Sequence, residues 1–411
     1  MPPEEEMRRL VVASAILATL LSWPLAQVAA APTQPPATMA APATAPSDSE
    51  RATAALAYLL AAQRSDGSLD GSIGETADFV IGAAAAGFDP ATLRGCSGTG
   101  SGALDYIATA SDAATTDAAK TGKAALAVVA AGGDPTAFQG RDLLARLSAL
   151  YHSGTGAYGD GSTFAGSFAI LALRADGQGA PAAALAELKA LQDPDGSWSY
   201  GTAPVVAGQG DTNSTAIALM ALDAAGDHSL DSTGLAYLRS QQLGDGGFPY
   251  QNSNAFGPPA SDADSDSIVL QALISAGQDP AGSSWLQGSN SVLTQLRAGQ
   301  AAGGGFAYPG TAPNAFTTSQ VPAALMLVPY AAAVHPTAGL AVPTTACQAP
   351  VAGAGATATA TVTRTPSTTA TAPHPTPGPS SPGPLALLIG FLALEGVVTA
   401  GWALSARPWR R

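Results

Sequence analysis

The sequence predicts an all-α fold in which six pairs of helices form two concentric layers. Three observations support this. A short phrase recurs along the chain, the segments that follow its loop are apolar nearly all round, and the segments that precede it are amphipathic. The phrase is a Gln, three residues, a Gly, one residue, and a large apolar or aromatic side chain. A recurrence of roughly 40–60 residues is typical of repeats built from helical pairs.

The recurring phrase is predicted to be structural. Its copies are Gln63-Gly67-Leu69, His152-Gly156-Tyr158, Gln192-Gly196-Trp198, Gln242-Gly246-Phe248 and Gln300-Gly304-Phe306. Asp-Gly in three of the copies indicates a tight turn with a positive φ at the Gly. We interpret the Gln as a partner for exposed backbone at a helix end, and the large side chain as a cover over the junction of neighbouring helices.

The phrase divides the core, 50–347, into six units, each with one helix before the loop and one after, and in the second unit the phrase has decayed. The first helices are predicted at 56–62, 104–110, 142–151, 182–191, 233–241 and 291–298, and the second at 75–87, 117–132, 163–175, 211–225, 266–276 and 317–330. The second helices lack a polar face, which indicates burial on all sides. The first helices carry charges such as Arg146 and Glu187 on one face, which places them outside.

The segments on either side of the core predict export and a membrane anchor. Residues 1–31 read as a signal peptide, with Arg8 and Arg9 before an apolar run. Residues 32–49 are a linker, 348–383 are a Thr/Pro/Ala-rich stalk, 384–406 are long enough to span a bilayer, and 407–411 form a basic cytoplasmic tail. We therefore expect a single-pass protein of the cell membrane, with its helical domain outside the cytoplasm and the membrane as a partner.

The net charge bears on the binding partners of the protein, and the two cysteines bear on a disulfide. The net charge is −13, and no basic stripe is present to release counterions, so nucleic acid is excluded as a partner. Cys96 and Cys347 lie after the first helical unit and just beyond the last. If the repeats close into a ring, these positions become neighbours and can form a disulfide in an oxidising compartment. Two unrelated thiols are the alternative.

Two copies of the phrase resemble repeats of a known family. The run 192–198, Gln-Asp-Pro-Asp-Gly-Ser-Trp, resembles the QW repeat of squalene and oxidosqualene cyclases. The run 243–248, Leu-Gly-Asp-Gly-Gly-Phe, is similar to the repeat of protein prenyltransferase β-subunits. The resemblance covers about residues 50–335. It implies an α6/α6 toroid whose inner helices point their N-termini at a central cavity, a fold that also serves carriers and other proteins.

The signatures of two activities on this fold are missing. Protein prenyltransferases hold zinc with Asp-x-Cys and a later His, and neither Cys96 nor Cys347 has an Asp two residues before it. The Cys-Gly-Glu-Gln run of thioester domains is also absent. We therefore expect no cofactor and no metal.

An acidic run resembles the Asp-x-Asp-Asp motif with which squalene–hopene-type cyclases protonate an alkene. It consists of Asp262, Asp264 and Asp266, at the start of an inner helix. Three interpretations stay open: helix caps, calcium ligands, or a catalytic acid. The inner helices offer few aromatic side chains for a carbocation: Phe79, Phe164, Phe168 and Phe316.

The predicted function is therefore ligand or partner binding without catalysis. A small apolar or amphipathic ligand, or a surface glycan, is expected at the mouth of the toroid. The predicted mouth residues are Glu75, Asp78, Asp117, Asp211, Asn213, Asp264, Asp266, Thr317 and Ser319. The alternatives are a divergent terpene-cyclase-like enzyme that uses Asp264 as acid, and a polysaccharide lyase or hydrolase.

Overall fold

The computed structural model describes residues 45–201, 208–252, 258–332, 339–344 and 347. All of these residues except Ala45 belong to one compact unit that begins at Pro46. The predicted signal peptide, stalk, membrane helix and basic tail, and most of the predicted linker, lie outside the described residues. Within the described ranges, no helix is both long enough and apolar enough to cross a membrane.

The described residues form pairs of α-helices, joined by loops with isolated β-bridges. The outer helix of each pair comes first: α1 (Asp48–Ala62), α3 (Ala103–Ser111), α5 (Leu143–Ala149), α7 (Ala182–Ala190), α9 (Asp231–Gln241) and α11 (Val292–Gly299). The inner helices are α2 (Ile73–Ala85), α4 (Ala118–Ala130), α6 (Thr163–Ala175), α8 (Thr212–Ala224), α10 (Ala263–Ser275) and the broken helix α12 (Ala315–Ser319) with α13 (Val321–Leu325).

The inner helices close into a ring. Each of α2, α4, α6, α8 and α10 packs against the next, α10 packs against α12 and α13, and these two return to α2. Each outer helix packs on the inner helix of the preceding unit, and α1 packs on α12 and α13 of the last one. The fold is therefore an α/α toroid, as the sequence predicts.

Burial follows the two layers. Every residue of α8 from Thr212 to Asp223 is buried, because the helix has neighbours on all sides. The outer helix α9 buries only four residues, Gly234, Leu235, Tyr237 and Leu238, on the face that meets α8. The segments that are apolar all round are thus the inner helices, and the amphipathic segments are the outer helices.

The recurring phrase joins each loop to the next outer helix. Gln192 donates from Nε2 to the Gly196 carbonyl at 3.0 Å and to Thr233 Oγ1, in α9, at 2.9 Å. Gly196 has φ 88°, and a Cβ there would lie 2.4 Å from the Thr233 carbonyl oxygen. Trp198 is fully buried and donates from Nε1 to the Leu188 carbonyl at 2.8 Å. The phrase is a structural staple between units.

The last copy of the phrase closes the ring on the first helix. Gln300 Nε2 donates to the Gly304 carbonyl at 3.0 Å and to the Arg51 carbonyl, in α1, at 2.8 Å. A disulfide also joins Cys96 to Cys347, with the Cα atoms 5.4 Å apart. This is the pairing expected if the repeats close.

Three predicted helix boundaries are wrong. The first helix begins at Asp48, inside the predicted linker, because Ser47 and Glu50 form a capping box. Helix α10 begins at Ala263, since Asp262 caps it. The last inner helix is interrupted at Gln320, because Pro322 has no N–H for the helical ladder, and it ends at Leu325, shortly before Leu327 adopts a left-handed φ of 57°.

Candidate functional site

Each inner helix begins with a capping side chain that accepts the amide three residues on. The caps are Ser72, Asp117, Ser162, Asp211, Asp262 and Asn314. Asp211 Oδ1 lies 2.7 Å from the Ser214 amide, and Asp262 Oδ1 lies 2.8 Å from the Ser265 amide. The sequence left three interpretations open for the acidic run. For Asp262 the structure shows the first of them, a helix cap. Asp117 and Asp211, predicted at the mouth, are caps as well.

The fourth residue of an inner helix anchors the phrase that precedes it. The backbone N–H of the large apolar residue donates to a threonine hydroxyl in three units: Leu69 to Thr76, Trp198 to Thr215, and Phe306 to Thr318. In the fifth unit Asp266 takes the place of threonine, and its Oδ1 accepts from the Phe248 amide at 2.6 Å. Asp266 is thus bound to the loop and does not line the mouth.

Asp264 is the carboxyl group of the acidic run that the repeat does not use. It occupies the second position of α10, which faces the axis. Asn213, at the same position of α8, donates from Nδ2 to Asp264 Oδ2 at 2.9 Å. Gln320 donates from Nε2 to Asp264 Oδ1. Three different inner helices therefore meet at this carboxyl group, which is 8 % exposed.

The surroundings of Asp264 favour its neutral form. Burial raises its pKa to about 8, and the nearby Asp262 carboxyl group adds to the rise. The positive charge of Lys123 and the hydrogen bond from Asn213 oppose the shift without cancelling it. At neutral pH the group is therefore largely protonated and is a hydrogen-bond donor as well as an acceptor.

One turn deeper, side chains close the axis of the ring. Lys123 Nζ lies 2.7 Å from Asp78 Oδ2, and the Tyr330 hydroxyl donates to Asp78 Oδ1 at 2.9 Å. Asp78, Phe168 and Tyr330 are 3 %, 4 % and 3 % exposed. A wide lumen at this level would leave them accessible. Within the part of the chain that the structure describes, the central cavity that the family resemblance implies therefore does not continue past this turn.

Aromatic side chains run from the rim to this floor. The ring centroids of Tyr200 and Phe164 are 5.3 Å apart, those of Phe164 and Phe168 are 5.9 Å apart, and those of Phe168 and Tyr330 are also 5.9 Å apart. Tyr200 is 45 % exposed at the rim. Tyr200 and Tyr330 were not predicted as site residues. Tyr200 lies in a loop, and Tyr330, at the end of the predicted helix 317–330, lies in a short 3₁₀ turn beyond α13. The position of Tyr200, two residues after Trp198 in the phrase, was the available signal.

The remaining predicted mouth residues, Glu75, Thr317 and Ser319, lie on the same side of the ring, in the N-terminal parts of inner helices. Ser319 donates to the Phe316 carbonyl at 2.9 Å. The Thr317 hydroxyl is buried and makes no hydrogen bond within the described residues. Glu75 is buried in the first turn of α2. Of the predicted set, the structure brings Asp78, Asn213 and Asp264 together. We call the aromatic side chains Tyr200, Phe164, Phe168 and Tyr330 the aromatic run. The central site consists of Asp78, Asn213, Asp264, Lys123, Gln320 and the aromatic run.

The polar layer of the central site has unmet hydrogen-bonding capacity. Asn213 Oδ1 and Gln320 Oε1 are buried, and neither has a hydrogen-bond partner among the described residues. Buried acceptors are costly to leave unpaired and are normally met by water or a ligand. Both flank Asp264.

No protein-family model and no curated protein matches the sequence. Solved structures similar in fold include the type II terpene cyclase MstE from Scytonema, at 14 % identity and TM-score 0.46, covering 68 % of this chain and 97 % of that one. The unsaturated glucuronyl hydrolase from Bacillus sp. GL1 is 14 % identical with TM-score 0.49, covering 68 % and 95 %. One specific for heparin is 12 % identical with TM-score 0.48, covering 68 % and 95 %.

This chain is itself an α/α toroid. The assignment stands on the closed ring of helix contacts in the chain itself. The similarity concerns the fold alone and carries nothing about activity.

Proposed function

We propose that the toroid binds a small amphipathic ligand at the central site, with hydroxyl groups on one side and an apolar face on the other. The observation that carries the proposal is Asp264, held between Asn213 and Gln320 at the meeting point of three inner helices. Its proton can be donated to a ligand oxygen. The unpaired oxygens of Asn213 and Gln320 can accept ligand hydroxyl groups after small rotations of their amides.

The aromatic run supports the apolar half of the ligand. Phe164 and the exposed Tyr200 form a continuous surface beside the polar layer. Flat apolar faces of small molecules bury well against such rings, and a few convergent polar groups then fix the orientation. Saccharides and alkyl glycosides have this combination of faces.

Binding is favoured over polyene cyclisation by the charge at the floor. Lys123 Nζ lies 5.2 Å from the ring centroid of Phe168 and 5.8 Å from that of Tyr330. A cation therefore already occupies the aromatic faces that a cyclase would use for a carbocation. A like charge there repels a second cation, and among the described residues the buried Phe168 and Tyr330 side chains fill the axis at this level.

The test is a binding measurement on the full chain. Calorimetry with a panel of oligosaccharides and alkyl glycosides is expected to find ligands whose affinity falls at least tenfold in Asp264→Ala and in Phe164→Ala. The matched control is Asp117→Asn, which removes a charge at the same rim and keeps a capping side chain. Its affinity is expected to equal that of the wild type.

Two results would contradict the proposal. Absence of binding across the panel would favour a purely structural toroid. Unchanged affinity in Asp264→Ala, with a melting temperature close to the wild type, would place the ligand elsewhere.

The second candidate is a divergent terpene-cyclase-like enzyme with Asp264 as acid. The raised pKa of Asp264 favours it, because a cyclase of this type needs a protonated carboxyl group. Incubation with squalene and shorter polyprenyl substrates, followed by mass spectrometry, is the assay. Cyclic products that disappear in Asp264→Asn would support catalysis, and their absence in the wild type would reject it.

We also propose that the toroid lies outside the cytoplasm on a single membrane anchor. The support is the pairing of Cys96 with Cys347, since disulfides persist in oxidising compartments, together with the apolar segment and basic tail at 384–411. A fluorescent reporter fused after Arg411 should be active in the cytoplasm, while protease added to intact cells removes the toroid. Protection of the toroid in intact cells would reject this topology.

A further inference from the structure

A second cluster of potential ligand groups lies at the other end of helix α8. Asp223 is in the last turn of α8, His228 is in the loop that follows, and Asp231 opens α9. His228 Nδ1 lies 2.9 Å from Asp223 Oδ1 and 3.2 Å from Asp231 Oδ2. One ligand atom from each residue falls within 4.8 Å of the others. We call these three residues the triad.

Two carboxylate oxygens of the triad receive no hydrogen bond from an N–H or hydroxyl group. Asp223 Oδ2 and Asp231 Oδ1 are both buried and have no such donor among the described residues, and the two carboxyl groups lie close enough to interact with each other. The side chain of Asp223 is only 1 % exposed. Two carboxyl groups this close to each other require a shared proton or a cation between them, because two negative charges there repel.

The position of Asp223 also calls for a positive charge. It lies near the C-terminal end of α8, where the helix dipole is negative and a carboxylate is disfavoured. Within the described residues its ion-pair partner is His228, whose side chain is 59 % exposed. A divalent cation would offset both the helix dipole and the two carboxylates.

We propose that the triad binds a divalent transition-metal ion of the zinc class. Imidazole nitrogen and carboxylate oxygen bind zinc at about 2.0–2.2 Å. Because the ligand atoms already lie within 4.8 Å of one another, side-chain movements without a change of the backbone can bring them onto one ion. The imidazole nitrogen disfavours calcium and magnesium, which prefer oxygen ligands.

The triad leaves coordination positions open. Three protein ligands leave a tetrahedral ion one position for water or another donor. Asp223 also lines an open cavity of about 300 Å³ on this side of the ring, which gives a hydrated ion access. The expectation of no metal rested on the prenyltransferase zinc pattern, which the triad does not share.

The triad is independent of the proposed ligand site. Asp211 and Asp223 are separated by about three turns of α8, roughly 18 Å at 1.5 Å per residue. Zinc bound at the triad would connect an inner helix to the next outer helix on the face opposite the central site. Its presence or absence therefore leaves the ligand-binding proposal untouched.

The experiment is a zinc titration of the full chain after treatment with a chelator. Calorimetry is expected to show one zinc site, at least tenfold tighter than any calcium site, and zinc is expected to raise the melting temperature. Both effects should be lost in His228→Ala and weakened at least tenfold in Asp231→Asn. The matched control is His152→Ala, which removes another exposed loop histidine and should bind zinc as the wild type does.

Several outcomes would overturn the proposal. They are no zinc binding in the wild type, the same affinity in His228→Ala as in the wild type, or a preference for calcium. Far-UV circular dichroism shows whether each variant is folded. Asp231→Asn gives a second reading that does not depend on the histidine. An anomalous difference peak at the triad in zinc-soaked crystals would support the site, and a peak elsewhere would reject it.

Discussion

Arg297 and Asp48 form a bidentate ion pair between the last outer helix and the first, with Nε–Oδ1 at 2.7 Å and Nη2–Oδ2 at 2.6 Å. The two residues are 249 positions apart in the chain. The pair lies beside the Gln300–Arg51 hydrogen bond, so the ends of the repeat are joined by the same type of contact that joins successive units. The ring therefore has no free terminal repeat within the described residues, and we expect it to unfold cooperatively.

The Cys96–Cys347 disulfide is predicted to stabilise the closed ring. It closes a loop of 251 residues, and the chain-entropy relation gives an upper value of about 5 kcal/mol for a loop of this length. Reduction should lower the melting temperature of the wild type, measured by circular dichroism. The paired substitution Cys96→Ser with Cys347→Ser should melt at the reduced value with or without reductant. Equal melting of oxidised and reduced protein would show that helix contacts alone hold the ends together.

Gly196 is predicted to be intolerant of a side chain for two separate reasons. Its φ is 88°, which costs a non-Gly residue about 1–2 kcal/mol, and the 2.4 Å approach to the Thr233 carbonyl adds an overpacking cost of about 1–3 kcal/mol. Gly226 also has a positive φ, of 79°, but a Cβ at that position would have no atom within 4 Å. In denaturant unfolding, Gly196→Ala should lose clearly more stability than Gly226→Ala. Equal losses would mean that the loop around Gly196 can move away from the Thr233 carbonyl at little cost.

Asp266 is predicted to tolerate threonine, because threonine accepts the equivalent amide at Thr76, Thr215 and Thr318. Asp266→Thr should therefore change the free energy of unfolding little. Asp266→Ala leaves the buried Phe248 amide without its acceptor and should cost about 1–3 kcal/mol. Urea unfolding of the two variants measures the difference. If alanine proves as stable as threonine, Asp266 does not anchor the loop.

Asp264 is predicted to make the folded state less stable as pH rises. The unfolded carboxyl group ionises near 3.8, whereas the pKa in the folded protein is about 8. Between these values the folded state holds more protons than the unfolded state, so the free energy of unfolding falls with increasing pH, by about 1.4 kcal/mol for each unit of pKa shift.

Asp264→Asn tests this pH dependence because the amide stays neutral. Its stability should vary less between pH 4.5 and pH 8 and should exceed that of the wild type at the upper end. Denaturant unfolding at a series of pH values measures both. Parallel curves for the two proteins would show that Asp264 ionises normally in the folded state.

Much of the fold follows from the sequence because each unit repeats the same local chemistry. The Gln and Gly of the phrase, the apolar run and the terminating Gly are short-range signals, and they place the inner and outer helices correctly. The boundaries are less well predicted. Ser47 and Glu50 cap a helix in a segment whose composition reads as a linker, and Pro322 interrupts a helix whose apolar pattern continues.

The site was predicted only in part, because the roles of identical residue types differ with position. Asp262, Asp264 and Asp266 are equivalent in composition and adjacent in the chain. The first caps the helix, the third replaces a threonine, and only the second faces the axis. To tell these roles apart, one must know which helix position each Asp occupies and which loop group it bonds. This becomes evident when the hydrogen bonds of several units are compared.

The sequence by itself determined that the chain is a helical-pair repeat with buried inner and amphipathic outer helices, because periodicity and turn chemistry are local properties. Only the tertiary structure decided that the ring closes, that Asp264 meets Asn213 and Gln320, and that Tyr330 hydrogen-bonds to Asp78 on the axis. These contacts join residues from different units. Their geometry depends on the position and rotation of each helix relative to its neighbours in the ring, which no single segment of the chain encodes.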